Sequence, residues 1–266
     1  MRVQYTLLIF LLPIVPSRAD DTATVGLPPK ERFHLFLLVG QSNMAGRGEV
    51  EPQDREPNPH VLMFTKDGRW VPALDPLHFD KPDIVGVGLG RTFGIEISAA
   101  NPGITVGLIP CAAGGSPIAS WEPGGYHPQT KSHPYDEAVR RAKKALEAGV
   151  LKGILWHQGE SDSQPGKAEV YEEKLHALIA RFREVLDASS VPFVVGQMGQ
   201  FAERPWTDAK NLVDLAHRHL PQKVSFSAFA NSDGLTHNGD EVHFDAKSYR
   251  ELGRRYVQAY RGISEQ

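Results

Sequence analysis

Short apolar runs alternate with amphipathic stretches along most of this chain. The runs are rich in β-branched and aromatic residues and end at Gly, Pro or polar residues, which is typical of buried strands. They are FHLFLLVG (33–40), GITVGLIP (103–110), LKGILWHQG (151–159), VPFVVGQMG (191–199) and KVSFSAFA (223–230). The pattern therefore predicts five strands that are buried within a sheet.

Helical periodicity fills the segments between these runs. In residues 167–189, apolar side chains such as Tyr171, Leu175 and Phe182 recur at three- and four-residue steps, with charges on the other face. Similar patterns predict helices over residues 91–100, 134–149, 207–220 and 245–262. Residues 60–73 instead predict a hairpin that turns at Lys66-Asp67-Gly68 and decorates the main sheet.

Strands that alternate with helices predict an α/β fold, a doubly wound three-layer α/β/α sandwich around a central parallel sheet. The functional crevice of such a fold lies outside the carboxyl ends of the strands. The segments GQSN (40–43), CAAGGS (111–116) and HQGES (157–161) each follow the end of a predicted strand. We therefore expect these three polar loops to converge at one edge of the sheet.

Composition and charge indicate which kinds of partner the protein is not expected to bind. The 266 residues are 41% hydrophobic and 23% charged, and the formal net charge is −3. This balance is ordinary for a globular protein and gives no electrostatic reason to expect nucleic acid or an anionic membrane as a partner. No low-complexity linker divides the chain, so we expect a single domain.

The amino terminus predicts export. Arg2 precedes an apolar stretch from Leu7 to Val15, and Ala19 is a small residue at a suitable cleavage position. The stretch is far shorter than the ~20 residues that a membrane span needs. We therefore predict a signal peptide over residues 1–19, a mature domain over residues 20–266, and a secreted or periplasmic protein without a membrane anchor.

Ser42 is the residue that best fits nucleophilic chemistry. A serine that follows a strand can simply cap the next helix. A nucleophilic serine needs in addition a histidine, an acid that orients this histidine, and N–H donors for an oxyanion. His243 follows Asp240 by three residues, so that in a turn the carboxylate can hold the imidazole. His237 is the rival histidine, but it lacks an acid three residues before it, where Gly234 stands.

The remaining strand-end loops supply candidate donors and a second acid. Gly114 and Gly115 offer unhindered backbone N–H groups, Gln158 offers an amide, and Glu160 offers a carboxylate. From the residues alone, either glycine can be the donor, and either Asp240 or Glu160 can orient the histidine. The amides Gln41 and Asn43, on either side of Ser42, are predicted to contact the substrate.

The sequence contains no motif that is typical of a bound metal or organic cofactor. There is no HExxH motif, no Cys/His cluster, no P-loop and no complete dinucleotide loop, so we expect neither a metal nor an organic cofactor. The nucleophile elbow G-x-S-x-G fails as well, because Met44 stands at the second glycine position. Ser42 is therefore not the nucleophile of an ordinary α/β-hydrolase.

Four motifs in order carry a resemblance to a known family. GQSNMAGRG, PCAAGGSPIASW, WHQGESD and DEVHFDAKSYRELG together resemble the SGNH-type hydrolases of carbohydrate esterase family 6, the acetylxylan esterases related to the sialate O-acetylesterase domain. The resemblance runs from about Phe33 to the last helix and implies a flavodoxin-like SGNH fold.

The resemblance also implies site residues. Ser42 would be the nucleophile, His243 the base and Asp240 the acid, with Glu160 as the alternative acid. The oxyanion hole would consist of the N–H groups of Ser42 and Gly115 and the side chain of Gln158.

The implied activity is removal of O-acetyl groups from acetylated carbohydrate, most naturally acetylxylan or a related plant polysaccharide. Trp121, six residues beyond Gly115, can then stack on a sugar ring or belong to the core. Two alternatives stay open: an O-acetylesterase for sialic acid or another acetylated glycan, and a non-catalytic carbohydrate-binding protein on the same fold. The sequence leaves the oligomeric state undetermined.

Overall fold

A seven-stranded sheet forms the centre of the computed structural model, which describes residues 26–264; the predicted signal peptide lies outside the described residues. The strands are β1 (Phe33–Gly40), β2 (Val61–Phe64), β3 (Trp70–Pro72), β4 (Thr105–Pro110), β5 (Val150–His157), β6 (Phe193–Gly196) and β7 (Ser227–Ala230). Their order across the sheet is β3-β2-β4-β1-β5-β6-β7. All neighbouring pairs are parallel except β2 and β3.

Six α-helices connect the strands within the described range. They are α1 (Ser42–Ala45), α2 (Leu89–Ala100), α3 (Pro134–Ala145), α4 (Tyr171–Val185), α5 (Asp208–Lys223) and α6 (Ala246–Ser264). Hydrophobic side chains of β1 alternate between two cores. Phe33, Leu35 and Leu37 pack on the side of α3, α4 and α5, whereas Phe36 and Leu38 pack on the side of α2 and α6. Both faces of the sheet are thus covered, and the predicted three-layer α/β/α class is confirmed.

Two details differ from the predicted elements. The hairpin is part of the sheet rather than a decoration, because β2 pairs in parallel with β4 and β3 forms the antiparallel edge. The last predicted strand begins later, at Ser227, because α5 continues through Pro221 to Lys223. A proline deep in a helix removes a hydrogen bond, but here only two helical residues follow it.

Cys111, the single cysteine of the chain, is buried in the core. Burial raises the pKa of the Cys111 thiol to about 11, so the single cysteine is an inert core residue rather than a thiolate. Among the helices of residues 26–264, none combines the length and the apolar character needed to span a bilayer.

Topology brings three strand ends together. β1 is the central strand, with β4 on one side and β5 on the other. The segments that follow these three strands are therefore neighbours at the carboxyl edge of the sheet, in agreement with the strand pattern.

Candidate active site

The turn after β1 places Ser42 at the edge of the sheet. Gly40 has a φ of +135°, and a side chain there would collide with the backbone carbonyl of His157 on β5. Glycine thus allows close approach of the two strand ends, and the N–H of Gln41 donates to that same carbonyl at 2.9 Å. Helix α1 begins immediately at Ser42, whose side chain faces a pocket.

Ser42, His243 and Asp240 form one hydrogen-bonded chain. Ser42 Oγ lies 2.9 Å from His243 Nε2, and His243 Nδ1 lies 2.5 Å from Asp240 Oδ2. The other oxygen of Asp240 accepts the backbone N–H groups of Val242 at 2.9 Å and of His243 at 2.7 Å. The three side chains predicted from sequence are therefore brought together, while their catalytic roles stay predictions.

The environment of Asp240 keeps this carboxylate charged. Partial burial acts to raise its pKa, but the backbone N–H and ring of His243 and the N–H of Val242 outweigh this effect. The pKa of Asp240 consequently lies below its usual value. An ionised acid at this position can stabilise a positive charge on the neighbouring imidazole.

The geometry separates Asp240 from the other candidate acid. Glu160 Oε1 accepts a hydrogen bond from Asn43 Nδ2 at 2.6 Å, whereas both ring nitrogens of His243 are engaged by Ser42 and Asp240. Asp240 is therefore the carboxylate that orients the ring.

The rival histidine has other partners. His237 Nδ1 accepts the N–H of Gly239 at 3.0 Å, and its Nε2 lies 3.5 Å from a carboxylate oxygen of Glu203. Neither contact involves the serine, so the structure distinguishes the two histidines by position.

Two residues that line the pocket, Ser42 and Gly115, have backbone N–H groups that form no hydrogen bond among the described residues. The N–H of Gly114, in contrast, donates to Asp80 Oδ2 at 2.8 Å. Gly115 has a φ of +84°, a left-handed conformation that glycine adopts without strain. Gly115 is therefore the glycine whose N–H is available to an oxyanion.

Gln158 does not have the position that the resemblance implied. Its side chain is fully buried, and its Nε2 donates to the carbonyl of Ser116 at 3.1 Å and to Asp162 Oδ2 at 2.5 Å. Its Oε1 accepts the hydroxyl of Tyr171 at 2.8 Å. Because both amide protons are used inside the protein, Gln158 has no donor left for an oxyanion, and the expected role is corrected to a structural one.

The predicted substrate contacts of Trp121 and Asn43 are also wrong. Both side chains are 0% exposed, so neither can contact a substrate. Trp121 donates from Nε1 to Ser116 Oγ at 2.9 Å and packs edge-on against Trp156, with 5.1 Å between ring centroids. The core interpretation of Trp121 holds, because its side chain belongs to the buried cluster on the side of α3, α4 and α5.

A cavity of about 550 Å³ opens above Ser42, Gly115 and His243. Gln41 lines it, with its Oε1 accepting the N–H of Ser161 at 3.3 Å, and its contact with the substrate stays a prediction. Ile84, which is 56% exposed, forms an apolar part of the lining.

Charged side chains line this cavity, a feature that the sequence does not reveal. Four are the cations of Arg47, Lys81, Arg204 and Lys210, and two are the carboxylates of Glu160 and Glu241. They come from separate segments, so no local motif identifies them. Arg47 is paired with Asp80 at 2.8 Å, and both side chains are almost fully buried. In the described part of the chain, no group of three His, Cys, Asp or Glu residues is arranged to hold a metal ion.

Comparison with known proteins identifies a family of carbohydrate esterases that matches most of the chain. The family described as carbohydrate esterase, sialic acid-specific acetylesterase matches residues 32–262. A probable carbohydrate esterase from Arabidopsis thaliana is 30% identical in an alignment of 270 positions, and this alignment covers 93% of this chain and 96% of the relative.

Solved structures with a similar fold align over most of the chain. The crystal structure of the Arabidopsis thaliana protein aligns with a TM-score of 0.76 at 30% identity, covering 88% of this chain and 99% of that chain. NanS aligns with a TM-score of 0.70 at 16% identity, covering 90% and 99% of the two chains. A carbohydrate acetylesterase from Xanthomonas citri aligns with a TM-score of 0.66 at 20% identity, covering 88% of this chain and 57% of that chain. The last two likenesses concern the fold alone.

Proposed function

We propose that this chain, which belongs to the carbohydrate esterase, sialic acid-specific acetylesterase family, removes O-acetyl groups from carbohydrate by a Ser-His-Asp mechanism. The observation that carries the mechanism is the chain of contacts from Ser42 Oγ through the ring of His243 to Asp240, at the floor of an open cavity. A non-catalytic binding protein has no need of this arrangement.

In the first half of the reaction, Ser42 Oγ attacks the carbonyl carbon of the acetyl group while His243 Nε2 takes the serine proton. Asp240 holds the ring and stabilises its positive charge. The N–H groups of Ser42 and Gly115 then donate to the tetrahedral oxyanion, and a single donor of this kind contributes a factor of roughly 10²–10³ in rate. The bond to the sugar oxygen then breaks, His243 gives the proton to this oxygen to form the sugar hydroxyl, and acetyl-Ser42 remains.

The second half repeats these steps with water. His243 takes a proton from water, whose oxygen attacks the acetyl carbonyl. As the second tetrahedral intermediate collapses, the bond to Ser42 Oγ breaks, His243 returns the proton to this oxygen, and acetate is released. The chemistry requires no metal and no organic cofactor.

Acetylxylan or a related plant polysaccharide is the substrate that we propose first. The chain is compact, and its relative in a plant carries the name of a probable carbohydrate esterase. The cavity is open to solvent, which suits acetyl groups that project from a polymer. Export, with a signal peptide over residues 1–19, fits a substrate of this kind outside the cytoplasm.

An O-acetylated sialic acid is the second candidate, and a specific observation favours it. Four cations and two carboxylates line the cavity, and three of the cations, Lys81, Arg204 and Lys210, form no ion pair within residues 26–264. A cation near the reacting ester can pair with the carboxylate of an acidic sugar. The description of the family names the same sugar class.

Acetate release from a matched set of substrates tests the proposal. We expect release from acetylated xylan by the wild type and none by Ser42→Ala, with an O-acetylated sialic acid and a small aryl acetate measured in parallel. Faster release from the sialic acid than from xylan would overturn the substrate preference but not the mechanism. Unchanged release by Ser42→Ala would contradict the mechanism, and no turnover of any ester would favour the binding protein.

A further inference from the structure

One buried amide next to Ser42 uses all of its hydrogen-bonding capacity. Asn43 Nδ2 donates to Glu160 Oε1 at 2.6 Å and to the carbonyl of Val242 at 3.0 Å. Asn43 Oδ1 accepts the hydroxyl of Tyr249 at 2.6 Å and the N–H of Phe244 at 3.4 Å. An amide offers two protons and two main acceptor directions, so this side chain is saturated. Its contacts therefore serve the protein rather than a ligand.

Two of these bonds reach the segment that carries His243. Val242 and Phe244 are its immediate neighbours in the chain, and the amide of Asn43 holds the backbone on both sides of it. The side chain of His243 itself is 22% exposed and gains limited support from packing. Asn43 is also the next residue after Ser42 on helix α1, so the amide links the two contacting side chains through short, rigid backbone.

Glu160 fixes the direction in which this amide faces. Its Oε1 accepts from Asn43 Nδ2, and its other oxygen is buried without a hydrogen-bond partner among the described residues. An ionised carboxylate can only accept. A flipped amide would bring the oxygen of Asn43 against the carboxylate and lose the bond to the carbonyl of Val242. Glu160 thus acts on Asn43, not on His243.

We propose that Asn43 and Glu160 are positioning residues that hold the His243 segment against Ser42. The inference rests on the proposed esterase mechanism, in which Ser42 must transfer its proton to His243. A misplacement of about 1 Å between reacting groups can cost on the order of 10²-fold in rate. Both residues act through the protein, and the side chain of Asn43 is buried out of reach of a substrate.

The sharpest test is a double-variant cycle. Asn43→Asp keeps the shape of the side chain but replaces both donated protons by acceptors. We expect kcat for a small aryl acetate to fall about 10²-fold, with KM nearly unchanged. Glu160→Gln keeps an acceptor for Asn43 and should lower kcat only about threefold. The double variant restores a hydrogen bond of reversed direction and should recover kcat about tenfold relative to Asn43→Asp.

Tyr249→Phe is the matched control, because its hydroxyl touches Asn43 but none of the residues that would react. The protons that Asn43 donates remain in place, so we expect kcat to stay within about threefold of the wild type. The melting temperature of each variant shows whether it is folded.

Hydrogen exchange gives a readout that does not depend on turnover. Amide exchange over residues 236–245 should accelerate in Asn43→Asp and slow again in the double variant, while the strands stay protected. Additive losses in the double variant, or unchanged exchange of the segment in Asn43→Asp, would overturn the proposal. If the wild type hydrolyses no ester but the exchange pattern is found, the proposed function fails and the positioning role stands.

Discussion

His243 Nε2 lies 2.9 Å from Ser42 Oγ, although 201 residues separate the two in the chain. Ser42 follows the central strand β1, and His243 belongs to the segment that precedes α6. α6 packs over the sheet and brings this segment back to the carboxyl ends of the strands. The contact therefore depends on the whole fold. Substitutions on the Ser42 side and on the His243 side of it are expected to have different effects.

The two carboxylates near the histidine should behave differently on substitution. Asp240→Asn keeps an acceptor for the backbone N–H groups but places an amide N–H against the Nδ1–H of His243, which favours the wrong tautomer. The same change in the triad of a serine protease lowers kcat by about 10⁴, and we expect a loss of at least about 10³ here. Glu160→Gln should cost only about threefold, because it still accepts from Asn43. Comparable kcat values for the two variants on an aryl acetate would contradict this assignment.

Gly115 should tolerate no side chain. Its φ is +84°, and an added Cβ would lie 2.7 Å from Gln129 Oε1. Gly115→Ala should therefore displace the turn and its N–H, and lower kcat by about 10²-fold as loss of an oxyanion donor does. Gly124→Ala is the control, since Gly124 has a similar φ of +73° but open space around it. Equal kcat losses in the two variants would show that backbone strain, not the donor, is responsible.

Trp121 should influence stability and not substrate affinity. Trp121→Phe loses the hydrogen bond to Ser116 and part of the packing against Trp156, and we expect the free energy of unfolding to fall by about 2 kcal/mol. Urea denaturation measures this change, and KM for the acetylated glycan should be unaltered. A several-fold rise in KM without loss of stability would restore the role of Trp121 as a sugar platform.

Buried histidines should make the protein sensitive to acid. Burial lowers the pKa of His217 from 6.5 to about 3 and that of His157 from 6.5 to about 4. Below pH 6.5 the unfolded chain therefore binds protons that the folded chain does not. The stabilising effect is fully present above the unfolded pKa and is lost as the pH falls towards the folded pKa values.

His217→Gln tests this dependence and keeps a donor for the hydroxyl of Tyr171. Between about pH 4 and 6.5, the slope of the free energy of unfolding against pH should be lower in the variant by up to about 1.4 kcal/mol per pH unit. Denaturant titrations across this range measure the slope. Parallel curves for the two proteins would mean that His217 is protonated in the folded state.

Hydrophobic periodicity predicts the fold well because both cores depend on it. The runs that form β1, β4, β5 and β6 alternate between two buried faces, and Gly or Pro marks their ends. The predicted α/β class and the family resemblance are both confirmed. The end of α5 is harder to predict, because Pro221 indicates an earlier stop than the one observed.

Site residues are predictable only as far as topology determines them. Strand-end loops must converge, so the pattern alone places Ser42 beside the turn that contains Gly114 and Gly115, without choosing between the two glycines. The direction of a side chain depends on distant partners, and no local signal reveals that Asp162 and Tyr171 occupy the amide of Gln158. The prediction for Asn43 is wrong for the same reason, because its side-chain partners are at least 117 residues away.

The proposed mechanism depends on Ser42 being a nucleophile activated by His243, and active-site labelling examines this point without any assumption about the sugar. The protein is treated with a fluorophosphonate, and the modified residue is identified by peptide mass spectrometry. We predict one label per chain, on Ser42, with loss of aryl acetate hydrolysis in proportion to labelling and no labelling of His243→Ala. A label on another residue, or full hydrolysis by completely labelled protein, would contradict the mechanism.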